Sequence, residues 1–490
     1  MHSYRKFFCK SNSGRRVLPL LLVSILLLVA CGRHQQEKDD DGKLIYAALN
    51  PISPYLESSI EIYNEDHPEA QIEVRDYSDD AGPERLITEL MLGQVPDIME
   101  MQRFGYYEVY GYVPTIAGSY HPKFTEALWH ETTFDADTSD VFYMPYRQLA
   151  LRGYLEDLWP YIDNDPEFGR ERIIEGPLKA AEINGGLYML PKSFSINTLV
   201  GSVSVVGDRC GWTLEDMMET FSSMPEGSAI LQYDTIRQEV FFHLLAPLLD
   251  QFIDWETGEC SFDDRDFRDM LGFLALLPDT FDTWLKSYEL EREKGELLLE
   301  GLQMLEPANI SSPKDLVHFD LRFGEETACI GYPTADGSSG SSFILHGPIL
   351  AMSSVCRDKE AAWGFMRRLL RAESKSISWM IQATDYKMSM IPLNRIAYNL
   401  YIKSATSKSV QFYTYIYPGG PFMMIPKPTE ETCRRFEDLV NNTTQLYWPD
   451  DNISTAVWDA IGPYFAGDKT MDETIALVQD RVRLYVNEQK

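Results

Sequence analysis

The chain has 490 residues and a mass of 56.2 kDa, room for roughly two to four domains, and is 44% hydrophobic and 12% aromatic. That composition excludes a small stapled scaffold and wholesale disorder. The formal charge is −31, although the first thirty residues hold five basic side chains and no acid, and so acidic a body repels polyanions, which argues against nucleic-acid binding.

The chain opens with the basic stretch Arg5 to Arg16. An apolar run, Val17 to Val29, follows, broken only by Pro19 and Ser24. As a helix it would rise about 20 Å, short of a bilayer core of about 30 Å, so residues 1–30 read as a signal peptide and not as a span. The tetrad Leu28-Val29-Ala30-Cys31 resembles the lipobox of bacterial lipoproteins. That likeness implies a diacylglyceryl group on Cys31, and acyl chains worth about 0.8 kcal/mol per buried methylene would hold the protein at a membrane surface. Residues 31–42, with Asp39-Asp40-Asp41, cannot bury a core and read as a flexible tether.

Next comes a β-α-β-α-β succession: strand Leu44 to Leu49, helix Ser53 to Glu65 with Leu56, Ile60 and Tyr63 on one face, strand Gln71 to Asp76, helix Pro83 to Leu92, and strand Asp97 to Met101. The order predicts a parallel, helix-covered sheet whose ligand rim lies beyond the strand ends, at Asn50 to Pro54, Tyr77 to Gly82 and Gln102 to Phe104. Gly105 to Tyr143 breaks the rhythm and carries Tyr106, Tyr107, Tyr110, Tyr112, Tyr120 and Trp129. Regular structure resumes at Leu149 to Ile162, with a helix Pro177 to Glu182 and a strand Leu187 to Leu190.

Thr213 and Asp216 form a capping-box pair for a helix carrying Leu214, Met217, Met218 and Phe221 on one face. Further helices are expected at Asp264 to Leu277, from Thr280 towards Lys294, and at Asp358 to Arg371. Strands are expected at Thr327 to Tyr332, Ile349 to Ser353 and Val410 to Tyr417. Thr470 and Glu473 cap a last helix with the stripe Ile475, Val478, Val482 and Tyr485.

No phosphate-cradling glycine loop, nucleophile elbow or zinc-protease motif occurs. The six histidines from His67 to His346 lack metal-ligand spacing. Beyond Cys9 and Cys31 there are five cysteines, an odd number with no C-x-x-C pair, so neither a full disulfide framework nor a zinc site is indicated. No cofactor or metal is expected, and no enzyme activity.

Several segments, in order, resemble one family: Ile62-Tyr63-Asn64-Glu65-Asp66-His67-Pro68, Leu90-Met91-Leu92-Gly93-Gln94-Val95-Pro96-Asp97-Ile98, Gly153-Tyr154-Leu155-Glu156-Asp157-Leu158, Gly186-Leu187-Tyr188-Met189-Leu190-Pro191, Ile330-Gly331-Tyr332-Pro333, Ala361-Ala362-Trp363-Gly364-Phe365-Met366 and Ile391-Pro392-Leu393. The chain from about Lys43 onward is similar to the extracellular solute-binding lipoproteins of carbohydrate ATP-binding-cassette importers, the group that contains maltose-binding protein.

The resemblance implies an α/β, two-lobed periplasmic-binding-protein-like fold with discontinuous lobes and a hinged cleft. Lobe one would be 43–195 plus 333–395 and lobe two 196–332 plus 396–490, with 105–143 an insertion in lobe one that the shorter relatives lack. It further implies a carbohydrate ligand, expected to be an oligosaccharide, permease subunits as partners, a lipid anchor on the outer face of the cell membrane and a monomer. Matched cleft segments suggest Asn50, Tyr55, Arg103, Phe104, Phe194, Asn197, Asn309, Phe343 and Trp448 as ligand contacts. A lipoprotein enzyme acting on glycans, and a surface sensor or adhesin without transport, are the alternatives.

Overall fold

The structure, a computed structural model, describes residues 43–93, 96–103, 142–231, 237–255, 257–275, 277, 297–298, 300–370, 390–407, 412–415 and 422–488. Cys31, Phe104, the signal peptide, nearly all of 105–143 and the helix expected from Thr280 lie outside the described residues.

In chain order the strands are β1 (Leu44–Ala48), β2 (Ile72–Asp76), β3 (Ile98–Glu100), β4 (Gln102–Arg103), β5 (Phe142–Tyr143), β6 (Ser193–Ser202) and β7 (Leu305–Ile310). They continue as β8 (Thr327–Cys329), β9 (Ser342–His346), β10 (Leu350–Met352), β11 (Ile391–Pro392), β12 (Phe412–Tyr415), β13 (Phe422–Ile425) and β14 (Gln445–Leu446). The first sheet has the order β10-β3-β1-β2. Its β1, β2 and β3 are parallel as the β-α-β-α-β pattern requires, with the helices Pro54–Asp66 and Gly82–Met91 as crossovers. The fourth strand departs from the expected all-parallel sheet. β10 runs antiparallel to β3 because it enters from the second sheet across a short link, with no helical crossover before it.

The local signals explain the boundaries. Ser53 Oγ accepts from Leu56 N and starts the first helix, with Pro54 and Glu57 in its first turn. The Thr213 and Asp216 capping box is present in full, and so is the pairing of Thr470 with Glu473. Leu187–Leu190 is not a strand. It makes one isolated bridge, Leu190 to Leu350, while Leu187 bonds elsewhere, its carbonyl accepting from Leu158 N and its N–H donating to Asp157.

The second sheet has the order β11-β6-β9-β14, with β7 and β8 also paired to β6. Its ten-residue strand β6 alternates, and the alternation sorts its side chains. Phe194, Ile196 and Val200 enter one hydrophobic core together with Ala308 and Ile310 of β7 and Phe343 and Leu345 of β9. Leu199 and Leu305, on the opposite face, enter a second core with Trp212, Met217, Phe267, Val457, Val478 and Val482. The first core also holds the sheet β10-β3-β1-β2 and the helix Lys359–Leu370. It takes in Leu316, Phe319, Phe323, Tyr398, Phe436, Leu439 and Val440 as well, from segments expected in the second lobe. β6 is thus the element on which both cores are built.

Candidate functional site

Where β1 and β3 end, one buried carboxylate gathers the rim. Glu100 Oε1 accepts from the Tyr46 hydroxyl at 2.7 Å, and Oε2 accepts from Leu49 N, Asn50 N and Asn50 Nδ2 at 2.9, 2.9 and 2.8 Å. Asn50 Nδ2 also donates to Gln102 O at 2.8 Å. Burial holds the Glu100 carboxyl above its ordinary pKa despite these donors. Beside it Gln102 Oε1 is buried without a protein partner. Arg103, on the same strand, pairs with Asp80 at 2.8 Å, and β4 pairs antiparallel with β5, joining the two ends of the inserted segment.

The second set of groups lies across the second sheet. The register sets Asn197 of β6 opposite Asn309 of β7 on one side and Ser342 of β9 on the other, with Gln445 of β14 next to Ser342. Four polar side chains therefore form one cross-strand row on the face turned away from the first core. Tyr332 donates its hydroxyl to Asn197 Oδ1 at 2.8 Å and fixes that amide. Three atoms of the row are buried with no protein partner: Asn197 Nδ2, Asn309 Oδ1 and Ser342 Oγ. Such atoms cost about 1 to 3 kcal/mol each when left unmade, so three in one row form a concentrated demand for hydrogen bonds.

Along the same face Ser195 Oγ lies 2.7 Å from His346 Nε2. Burial pushes the His346 pKa down to about 4, so the imidazole is neutral at physiological pH. Every side chain named on this floor is therefore uncharged.

A third group is aromatic. Trp448 follows β14, donates Nε1 to Met144 O at 3.0 Å and meets Tyr143 and Tyr146 edge-on at 4.9 and 5.9 Å. The helix Tyr146–Leu151 then joins the two cores: Tyr146, Leu149 and Ala150 pack in the first, while Arg147 pairs with Asp250 at 2.8 Å and Gln148 Nε2 reaches Asp450 at 3.3 Å beside the second.

Of the residues expected at ligand, the structure brings Asn197 and Asn309 together and places Asn50 and Arg103 on the rim. Tyr55 stands in the first turn of the helix Pro54–Asp66, and Phe104 lies outside the described residues. Phe194 and Phe343 are fully buried in the first core, edge to face at 5.4 Å. Strand parity puts them behind the sheet, one residue out of phase with the polar row. Ser342, Ser195, His346 and Glu100 were not expected. The alternation of Ser193, Ser195 and Asn197 with Phe194 and Ile196 carries the signal for the first of these strands.

Among the described residues Cys210, Cys260, Cys329, Cys356 and Cys433 form no disulfide with one another. Among the described residues no group of three or more His, Cys, Asp or Glu is placed to hold a metal, and no helix is long and apolar enough to cross a membrane.

No protein-family model and no curated protein matches the chain. Solved structures do. A periplasmic oligogalacturonide binding protein from Yersinia enterocolitica aligns over 91% of this chain and 99% of its own, with a TM-score of 0.50 and 12% identity. The sugar-binding protein MalE from the phytopathogen Xanthomonas citri aligns over 91% and 98%, with a TM-score of 0.49 and 14% identity. The first of these likenesses shows the fold: the chain has the two-lobed α/β architecture of the periplasmic binding proteins.

Proposed function

We propose that this chain, on its periplasmic-binding-protein fold, is an extracytoplasmic, lipid-anchored receptor that binds a carbohydrate and delivers it to the permease of an ATP-binding-cassette importer. The observation that carries the reading is the row Asn309, Asn197, Ser342 and Gln445, where three buried polar atoms lack protein partners on β6, the strand that supports both cores, and on its neighbours β7 and β9. Sugar hydroxyls donate and accept, so a ring laid on this floor meets the acceptor of Asn309, the donor of Asn197 and the hydroxyl of Ser342. The proposed ligand contacts are these residues with Asn50, Gln102, Arg103 and Trp448. Trp448 supplies an apolar surface of the kind a sugar ring face needs.

The floor also favours a class of sugar. Its groups are neutral, and Arg103, on the rim of the first sheet, is already paired with Asp80. A buried uronate carboxylate would need a cation that none of these groups offers, so the ligand is an uncharged oligosaccharide. The lobes are proposed at 43–195 plus 333–395 and at 196–332 plus 396–490, closing about β6, with the helices of the first core that come from the second set bracing the hinge. Binding makes and breaks no covalent bond; ligand acts by its greater affinity for the closed arrangement.

A thermal-shift screen with maltotriose, cellotriose, xylotriose and the galacturonate trimer tests this. A ligand at 100 times its Kd stabilises by about 2.7 kcal/mol, and the expected result is a shift with a neutral trisaccharide and none with the acidic one. A flat response to all four, or release of shorter sugars on incubation, contradicts the proposal.

A further inference from the structure

Glu100 is a buried carboxylate three of whose four bonds converge on the turn after β1. Its residue is 4% exposed, and it accepts four hydrogen bonds from neutral donors: one from Tyr46 inside the first core and three from the Leu49 and Asn50 pair. The other buried acids of the first core are occupied differently. Asp97 takes the Arg357 guanidinium at 2.6 Å, and Asp165 takes Trp363 Nε1 and Arg367. Among the described residues Glu100 has no such cation, and burial alone raises its pKa against those donors. A carboxylate kept in that setting is costly unless its acceptors are needed where they are.

Oε2 receives both backbone N–H groups at the end of β1 and the Asn50 amide at once. Three bonds to one oxygen fix the backbone of residues 49 and 50 and one end of the Asn50 side chain. Gln102 O fixes the same amide nitrogen from the other strand. The turn is therefore set before any ligand arrives, which removes an ordering cost from binding.

We propose that Glu100 is a positioning residue for carbohydrate binding, acting through Asn50. The inference rests on the carbohydrate-binding reading given above. Tyr46 holds the other oxygen, on the core side, and serves stability without touching the turn.

The test measures Kd by calorimetry, and unfolding in urea, for the full-length protein with whichever neutral trisaccharide of the panel shifts it most. Asn50→Ala and Glu100→Ala should each weaken binding about tenfold, and the double variant should be no weaker than Asn50→Ala alone. Glu100→Gln keeps one oxygen for the three donors and should bind within twofold of the parent. Tyr46→Phe should unfold more easily with Kd unchanged, a separation that a merely structural role for Glu100 does not give. If Glu100→Ala does not fold, Glu100→Met takes its place in the cycle. Additive losses in the double variant, or a Glu100 change without effect on Kd while Asn50→Ala weakens it, overturn the positioning role alone. If Asn50→Ala binds like the parent, the role falls as well. If no carbohydrate binds, the functional reading fails and this inference falls with it.

Discussion

The two faces of the molecule's buried polarity differ in one respect. Two charged pairs that brace the cores are met by protein partners. Glu306 and Arg322 are both almost wholly buried and joined through two bonds, at 2.6 and 3.0 Å, and Asp97 accepts from Ile45 N, Arg357 N and the Arg357 guanidinium. The floor of the second sheet is the reverse: its groups are neutral, cheaper to bury, and three of their atoms are unmet. A buried charge stripped of its partner costs about 3 to 5 kcal/mol, whereas an amide left unpaired costs about 1 to 3, an amount that a ligand can repay on arrival. The ion pairs that brace the cores are closed within the protein, and the proposed binding row is left open.

The largest expected effect breaks the closed set. Arg322→Met leaves the Glu306 carboxylate buried without its cation and should cost about 3 to 5 kcal/mol in urea unfolding, most of it recovered by adding Glu306→Leu. A neutral single change would mean that the pair is not the brace the comparison requires.

His346 sharpens the boundary between the two sets, since it is neutral and already bonded to Ser195. An unfolded histidine takes its proton near its ordinary value of 6.5, while burial delays this to about 4 in the folded chain. The stability it leaves intact is therefore fully present above about pH 6.5 and declines as pH falls towards 4, by roughly 3 kcal/mol across that window. His346→Gln should flatten that part of the stability profile relative to the parent. Profiles that run parallel contradict a neutral buried imidazole.

The smallest effect concerns Arg147 and Asp250, which link a helix of the first core to a segment of the second with both side chains about one-third exposed. Arg147→Gln should change unfolding by less than about 1 kcal/mol, and the difference should vanish in 1 M salt. A loss above 2 kcal/mol would place this pair with the closed set.

Much of the first sheet was legible because strand and helix signals follow one another closely: Leu44–Ala48 is a short continuous apolar run, and the Ser53-capped helix and Ile72–Asp76 come directly after it in sequence. The second sheet was not, because its partners are far apart in sequence. β6 pairs with residues more than a hundred positions away, and nothing local to Asn309 or Ser342 says that they flank Asn197. The family resemblance pointed to Asn197 and Asn309 but not to Ser342, which shares their row. Phe194 and Phe343, expected at ligand, lie in the first core for a reason of parity: a one-residue step along a strand moves a side chain to the opposite face. Glu100 was hidden because one acid among 75 gives no sign of burial.

Calorimetric titration of the protein and of Ser342→Ala with a neutral trisaccharide, alongside urea unfolding of both, tests the open floor most directly. The expected result is a loss of about 1 to 3 kcal/mol in binding with ligand-free stability unchanged or slightly higher, since the variant removes a buried hydroxyl that no protein group meets. Equal affinity in the two proteins, or a variant that loses stability while binding unchanged, would show that the row is ordinary structure and not where ligand sits.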